Sequence, residues 1–70
     1  MKLKKAARLA NLLGYHWVAV DMNGAIFAYT EMPTLNEGMY EHMWEVSLGS
    51  FKRVGSYTGS KTWTTTRRVV

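Results

Sequence analysis

The sequence predicts an α+β fold, one N-terminal amphipathic helix packed on a small antiparallel sheet of about four or five strands. Three observations predict it. Apolar residues recur with helical period over 2–13, among strong helix formers. Two runs rich in Val, Ile, Phe, Tyr and Trp flank an Asn-Gly pair within 16–30. Short β-favouring segments separated by Gly-Ser turns fill 43–69. With a connection or short helix over 31–42, these make one domain, residues 1–70.

On a helical wheel Leu3, Ala6, Ala7, Leu9, Ala10 and Leu13 fall on one side of the first element, and Lys4, Lys5, Arg8 and Asn11 on the other. Gly14 suits a left-handed cap at its end. No Ser, Thr or Asp caps its start, and Lys2, Lys4 and Lys5 oppose the helix dipole, so the first turn is expected to fray.

The hairpin, His16 to Thr30, admits two closures. Asn23-Gly24 forms a two-residue type I′ turn, or Asp21 opens a type I turn and Gly24 takes the left-handed position of a bulge. The second is preferred, because an Asp at the first position accepts a hydrogen bond from backbone two residues on. Its register sets Trp17 opposite Tyr29, Val18 opposite Ala28, Ala19 opposite Phe27, and Val20 opposite Ile26. One face is then Trp17, Ala19, Phe27 and Tyr29, and the other Val18, Val20, Ile26 and Ala28. Neither face is polar, so both are expected to meet other parts of the chain or a partner. Asp-x-Asn-Gly opens like a calcium loop, but the later ligands and the bidentate Glu do not follow at the required spacing.

The segment Trp17-Val-Ala-Val-Asp21-Met-Asn23-Gly24-Ala-Ile-Phe27-Ala-Tyr29, followed by Pro33, resembles small uncharacterised proteins of tailed bacteriophages. There a Trp, an acidic residue, a Gly turn, an aromatic pair and a Pro come in this order. A later Trp, matched by Trp63, stands near the C-terminus. The resemblance covers 16–33 and, loosely, 55–66, and the basic N-terminal segment departs from it. It implies a phage origin and hence a host bacterial cytoplasm, with no defined activity.

Pro33 bars a central strand after the hairpin. Thr34-Leu-Asn-Glu37 matches a capping box for a short helix from Leu35 to His42, with Met39, Tyr40 and Met43 as core filler. Met43–Ser47, Phe51–Tyr57 and Thr62–Val69 are the expected strands of an antiparallel meander. Leu48-Gly49-Ser50 and Thr58-Gly59-Ser60 supply its turns. The last strand carries Thr62, Thr64, Thr66 and Arg68 on one face, and so suits an edge.

Seventy residues bury a modest core, and dimerisation is one way to complete it. The absence of Cys removes disulfides and thiolate metal sites and fits a reducing compartment. No apolar run is long enough to span a membrane, and Arg8 interrupts the stretch that otherwise starts like a secretion signal.

Catalytic inventory is thin. His16 and His42 are the ordinary candidates for a neutral-pH base, and neither has a partner or metal-ligand spacing that specifies chemistry. Gly49-Ser50-Phe51-Lys52 and Gly59-Ser60-Lys61 are turn fragments rather than a phosphate loop. The expectation is no enzyme, no catalytic residue, no metal and no cofactor.

Charge is the stronger signal. The net charge is +4. Lys2, Lys4, Lys5 and Arg8 stand at one end and Lys52, Arg53, Lys61, Arg67 and Arg68 at the other. The middle holds Asp21, Glu31, Glu37, Glu41 and Glu45. If the ends meet in space they make one positive face. The first functional expectation is a non-enzymatic phage-type interaction protein that binds and modulates a host protein with an acidic surface, inhibition being the expected form of modulation. Its contacts would be Lys4, Lys5, Arg8, Arg53, Arg67 and Arg68. The alternative is DNA or RNA binding through the same bases, with Tyr57 and Trp63 stacking on nucleotides. The ordinary alternative for each is a solvated basic face and aromatic core filler.

Overall fold

A computed structural model describes residues 1–36, 43–46 and 48–70. Helix α1 spans Leu3–Leu12, and the strands are β1 Trp17–Val20, β2 Ala25–Tyr29, β3 Thr34–Asn36, β4 Met43–Glu45, β5 Phe51–Ser56 and β6 Arg68–Val69. Four of them form an antiparallel sheet in the order β5-β2-β1-β6, while β3 and β4 pair separately. The α+β fold expected from the sequence is present, with α1 on one sheet face and the β3–β4 arm beneath the other.

The central hairpin has the expected register, Trp17 opposite Tyr29 through Val20 opposite Ile26. Its turn is the bulged closure: Gly24 N–H donates to the Asp21 carbonyl at 2.9 Å, and Gly24 alone in the turn has positive φ, +87°. A Cβ there would be strained, which is why glycine closes the hairpin. Asn23, however, does the local work expected of Asp21. Its Oδ1 accepts from Ala25 N–H at 3.0 Å. The Asp21 carboxylate instead accepts from Trp44 N–H at 2.9 Å and fastens β4 to the hairpin turn.

Both apolar hairpin faces are covered, as their composition required. Val18, Val20, Ile26 and Ala28 pack under Leu3, Ala6, Ala7 and Ala10 of α1. Ala19 and Tyr29, with Trp17 and Phe27, pack on Trp44, Val46 and Trp63. The small α1 residues let the helix lie close to the sheet; Ala6 and Ala10 have no exposed surface. The helix ends in a Schellman motif. Tyr15 N–H donates to Ala10 O and Gly14 N–H to Asn11 O, with Gly14 at φ +87° as anticipated. Leu13 departs from its expected buried side. It is the cap residue that leaves the helix, and it is exposed. The uncapped first turn is held from outside. The Met1 amino group donates to Ser56 O, Thr58 N–H donates to Met1 O at 3.0 Å, and the Met1 side chain lies against Gly55.

Three expectations for the second half are corrected. Thr34–Asn36 is a strand and not the start of a capped helix. Thr34 and Asn36 spend their side chains across the arm, Asn36 Nδ2 donating to Glu45 Oε2 at 3.2 Å. Glu37 through His42, with the rest of that expected helix, and Ser47 lie outside the described residues. The meander is replaced by a sheet that collects its strands on either side of the hairpin. β5 pairs with β2, where Phe51 extends the Phe27–Tyr29 aromatic row, and β4 pairs with β3. Finally, Thr62–Val69 is not one strand. Trp63–Thr65 is a 3₁₀ turn and only Arg68–Val69 joins the sheet, at its edge beside β1. Thr65 Oγ1 donates to Thr62 O at 2.8 Å and Thr66 Oγ1 to Trp63 O at 2.7 Å. Threonine hydroxyls that bond nearby carbonyls in this way compete with the strand ladder.

Candidate functional site

The two basic ends of the sequence meet. The bonds that hold Met1 to Ser56 and Thr58 bring the start of α1 beside the 57–61 loop, and β6 lies alongside β1 under the same helix. Lys2, Lys61 and Arg68 therefore line one surface hollow of about 220 Å³, together with Leu3, Tyr57 and Ser60. The loop keeps its shape through Tyr57, whose hydroxyl accepts from Lys61 N–H at 3.1 Å. Gly59 makes this possible by close approach, since a Cβ there would collide with the Tyr57 hydroxyl.

Lys4, Lys5 and Arg8 lie exposed on α1, and none of them has a hydrogen bond or ion pair with another described residue. No acid is present in the first turn of α1, and no described acid lines the hollow. Lys2, Lys61 and Arg68 around one hollow, with Lys4, Lys5 and Arg8 on the exposed side of the adjoining helix, make a positive potential that attracts an anionic surface.

The expected contact residues divide between two sides. Lys4, Lys5, Arg8 and Arg68 belong to the helix side. Arg53 does not, because a bulge at Val54 changes the facing of β5. Arg53 stands opposite Phe27, on the aromatic face, and its guanidinium donates to Ser56 Oγ at 3.1 Å. Arg67 lies over Trp44, 5.6 Å from the ring centroid, and donates to Pro33 O at 3.3 Å. Tyr57 and Trp63 are likewise separated. Tyr57 packs against the helix-side core and Trp63 against the opposite one, so they do not share a stacking surface. Lys2 and Lys61 join the face although the sequence reading named other bases as contacts. Their signal was the clustering of charge at both ends of the chain; what it lacked was the bond between Met1 and β5.

His16 is exposed, and His42 lies outside the described residues. Among the described residues no group of three His, Cys, Asp or Glu is placed to hold a metal ion, and no helix is long and apolar enough to cross a membrane. Comparison with protein-family models, curated proteins and solved structures finds no match.

Proposed function

We propose that this chain is a non-enzymatic interaction protein that binds an acidic surface of another protein through the helix-side cations Lys2, Lys4, Lys5, Arg8, Lys61 and Arg68, and inhibits that protein by occupying it. The observation that carries the reading is the meeting of the two basic ends around one hollow with no described acid among its lining residues. Such a face steers association with an acidic partner and raises the on-rate more than it deepens the final affinity. The phage resemblance of the hairpin makes a host bacterial protein the natural class of partner.

A second reading, binding of DNA or RNA, is favoured by one specific observation: the Tyr57 ring shares the hollow with Lys2, Lys61 and Arg68. It requires affinity that falls steeply with salt.

The test compares the protein with a Lys4→Glu, Arg8→Glu, Lys61→Glu variant as bait in bacterial lysate, with and without nuclease. All three side chains are exposed, and a Glu at position 4 suits the helix dipole, so the variant is expected to fold. The proposal expects one stoichiometric partner that survives nuclease and whose affinity for the variant drops at least tenfold. Equal capture by the variant would remove the basic face as the interface. Loss on nuclease treatment would transfer the face to nucleic acid.

A further inference from the structure

On the side of the sheet away from α1, a cavity of about 290 Å³ opens between the hairpin and the β4 strand of the arm. Its walls include Phe27, Tyr29, Phe51 and Trp44, and two carboxylates, Asp21 and Glu45. The rings of Phe27 and Phe51 meet edge to face at 5.9 Å, and Tyr29 lies 6.3 Å from Phe51 and 6.5 Å from Phe27. Phe51 is 61 % exposed although it belongs to this cluster, so its ring is open to a visitor.

The aromatic surface and the acids together specify the guest. Ring faces are negative at their centres and attract cations, most strongly where water is excluded. Asp21 uses one oxygen for Trp44 N–H, and its other oxygen has no donor among the described residues. Glu45 holds Asn36 through Oε2 alone. Among the described residues no Lys or Arg lines the cavity. The nearby cations are committed elsewhere, Arg67 to Pro33 O over the Trp44 ring and Arg53 to Ser56. A neutral apolar guest would bury these carboxylates further without compensation, whereas a cation offsets that cost.

We propose that this cavity binds an organic cation, an alkylammonium or guanidinium group, held against Phe27, Phe51 and Tyr29 and paired with Asp21 and Glu45. The site is separate from the basic face and does not depend on it. Burial already raises the Asp21 carboxyl above its ordinary range, and a bound cation would lower it again.

The experiment titrates the intact protein with choline, with N-acetylarginine methylamide and with 3,3-dimethylbutan-1-ol, the neutral isostere of choline. Amide and indole NMR shifts of Asp21, Trp44 and Phe51 follow the binding. At least one of the two cations is expected to bind tenfold or more tightly than the neutral isostere, with shifts confined to the residues that line the cavity. Asp21→Asn, which keeps an oxygen for Trp44 N–H, and Phe51→Ala, at an exposed position, are each expected to weaken that binding tenfold. Tighter binding of choline would identify a quaternary ammonium as the source, and tighter binding of the arginine derivative a basic side chain of a partner. Equal affinity for the neutral isostere, no binding of either cation, or undiminished binding by folded variants would overturn the proposal.

Discussion

Thr66 is fully enclosed, and its hydroxyl does the work of a missing strand residue. Oγ1 accepts from Val20 N–H at 2.9 Å and donates to Trp63 O at 2.7 Å, satisfying the end of β1 where β6 does not reach. Thr66→Val keeps the shape and removes both bonds. Leaving Val20 N–H buried and unpaired costs about 1–3 kcal/mol. A urea titration should show that loss, and Thr66→Ser should recover most of it. Asp21 is the second residue with an uneven balance. Desolvation raises its pKa, and the Trp44 N–H bond only partly counters it. A carboxyl whose folded pKa is raised favours folding most below its unfolded value of 3.8. That contribution is lost as the pH rises through the folded value, so the charged form weighs on the fold at neutral pH. Asp21→Asn is expected to raise the melting temperature at pH 7, with the gain shrinking as the pH approaches 4; a calorimetric series across that range checks it. Neither role was legible in the sequence. Asp21 obeys a local turn rule until Trp44, distant along the chain, claims its carboxylate. Thr66 looked like a solvent-facing strand residue because nothing local marks a threonine that will be enclosed.

Elements written by short-range rules were readable, and those that depend on distant partners were not. α1, its Gly14 cap and the register of β1 with β2 follow from period, capping and turn chemistry within a few residues. The pairing of β5 with β2 does not, since either neighbour of Leu48-Gly49-Ser50 had sufficient β character to pair with the other. The capping-box pattern at Thr34 failed because β4 offered the arm a strand partner. The contact of α1 with the sheet carries its own prediction. Ala10 has no exposed surface and faces Val18, Val20, Ile26 and Ala28 across a dense layer. Ala10→Leu adds volume with nowhere to place it, and overpacking of this kind costs about 1–3 kcal/mol. Arg8→Leu on the exposed side of the same helix is the control, expected to leave the denaturation midpoint within about 0.5 kcal/mol.

At the scale of the molecule, charge and aromaticity are sorted by layer. Helix-side cations gather around the Lys2–Lys61–Arg68 hollow, while Asp21 and Glu45 line the aromatic cavity on the opposite side. The sequence displayed this as basic ends and an acidic middle, but not the β5 bulge that sends Arg53 to the far face. The same sorting governs what light can report. Trp17, Trp44 and Trp63 all belong to the layer away from α1, and no tryptophan lies in the helix-side core. Their emission is therefore an optical probe of that layer, while α1, the α-helix among the described residues, contributes its far-ultraviolet signal from the other side. The protein carries two native reporters divided by its sheet, so coincidence of their melting curves measures whether the two layers unfold as one cooperative unit.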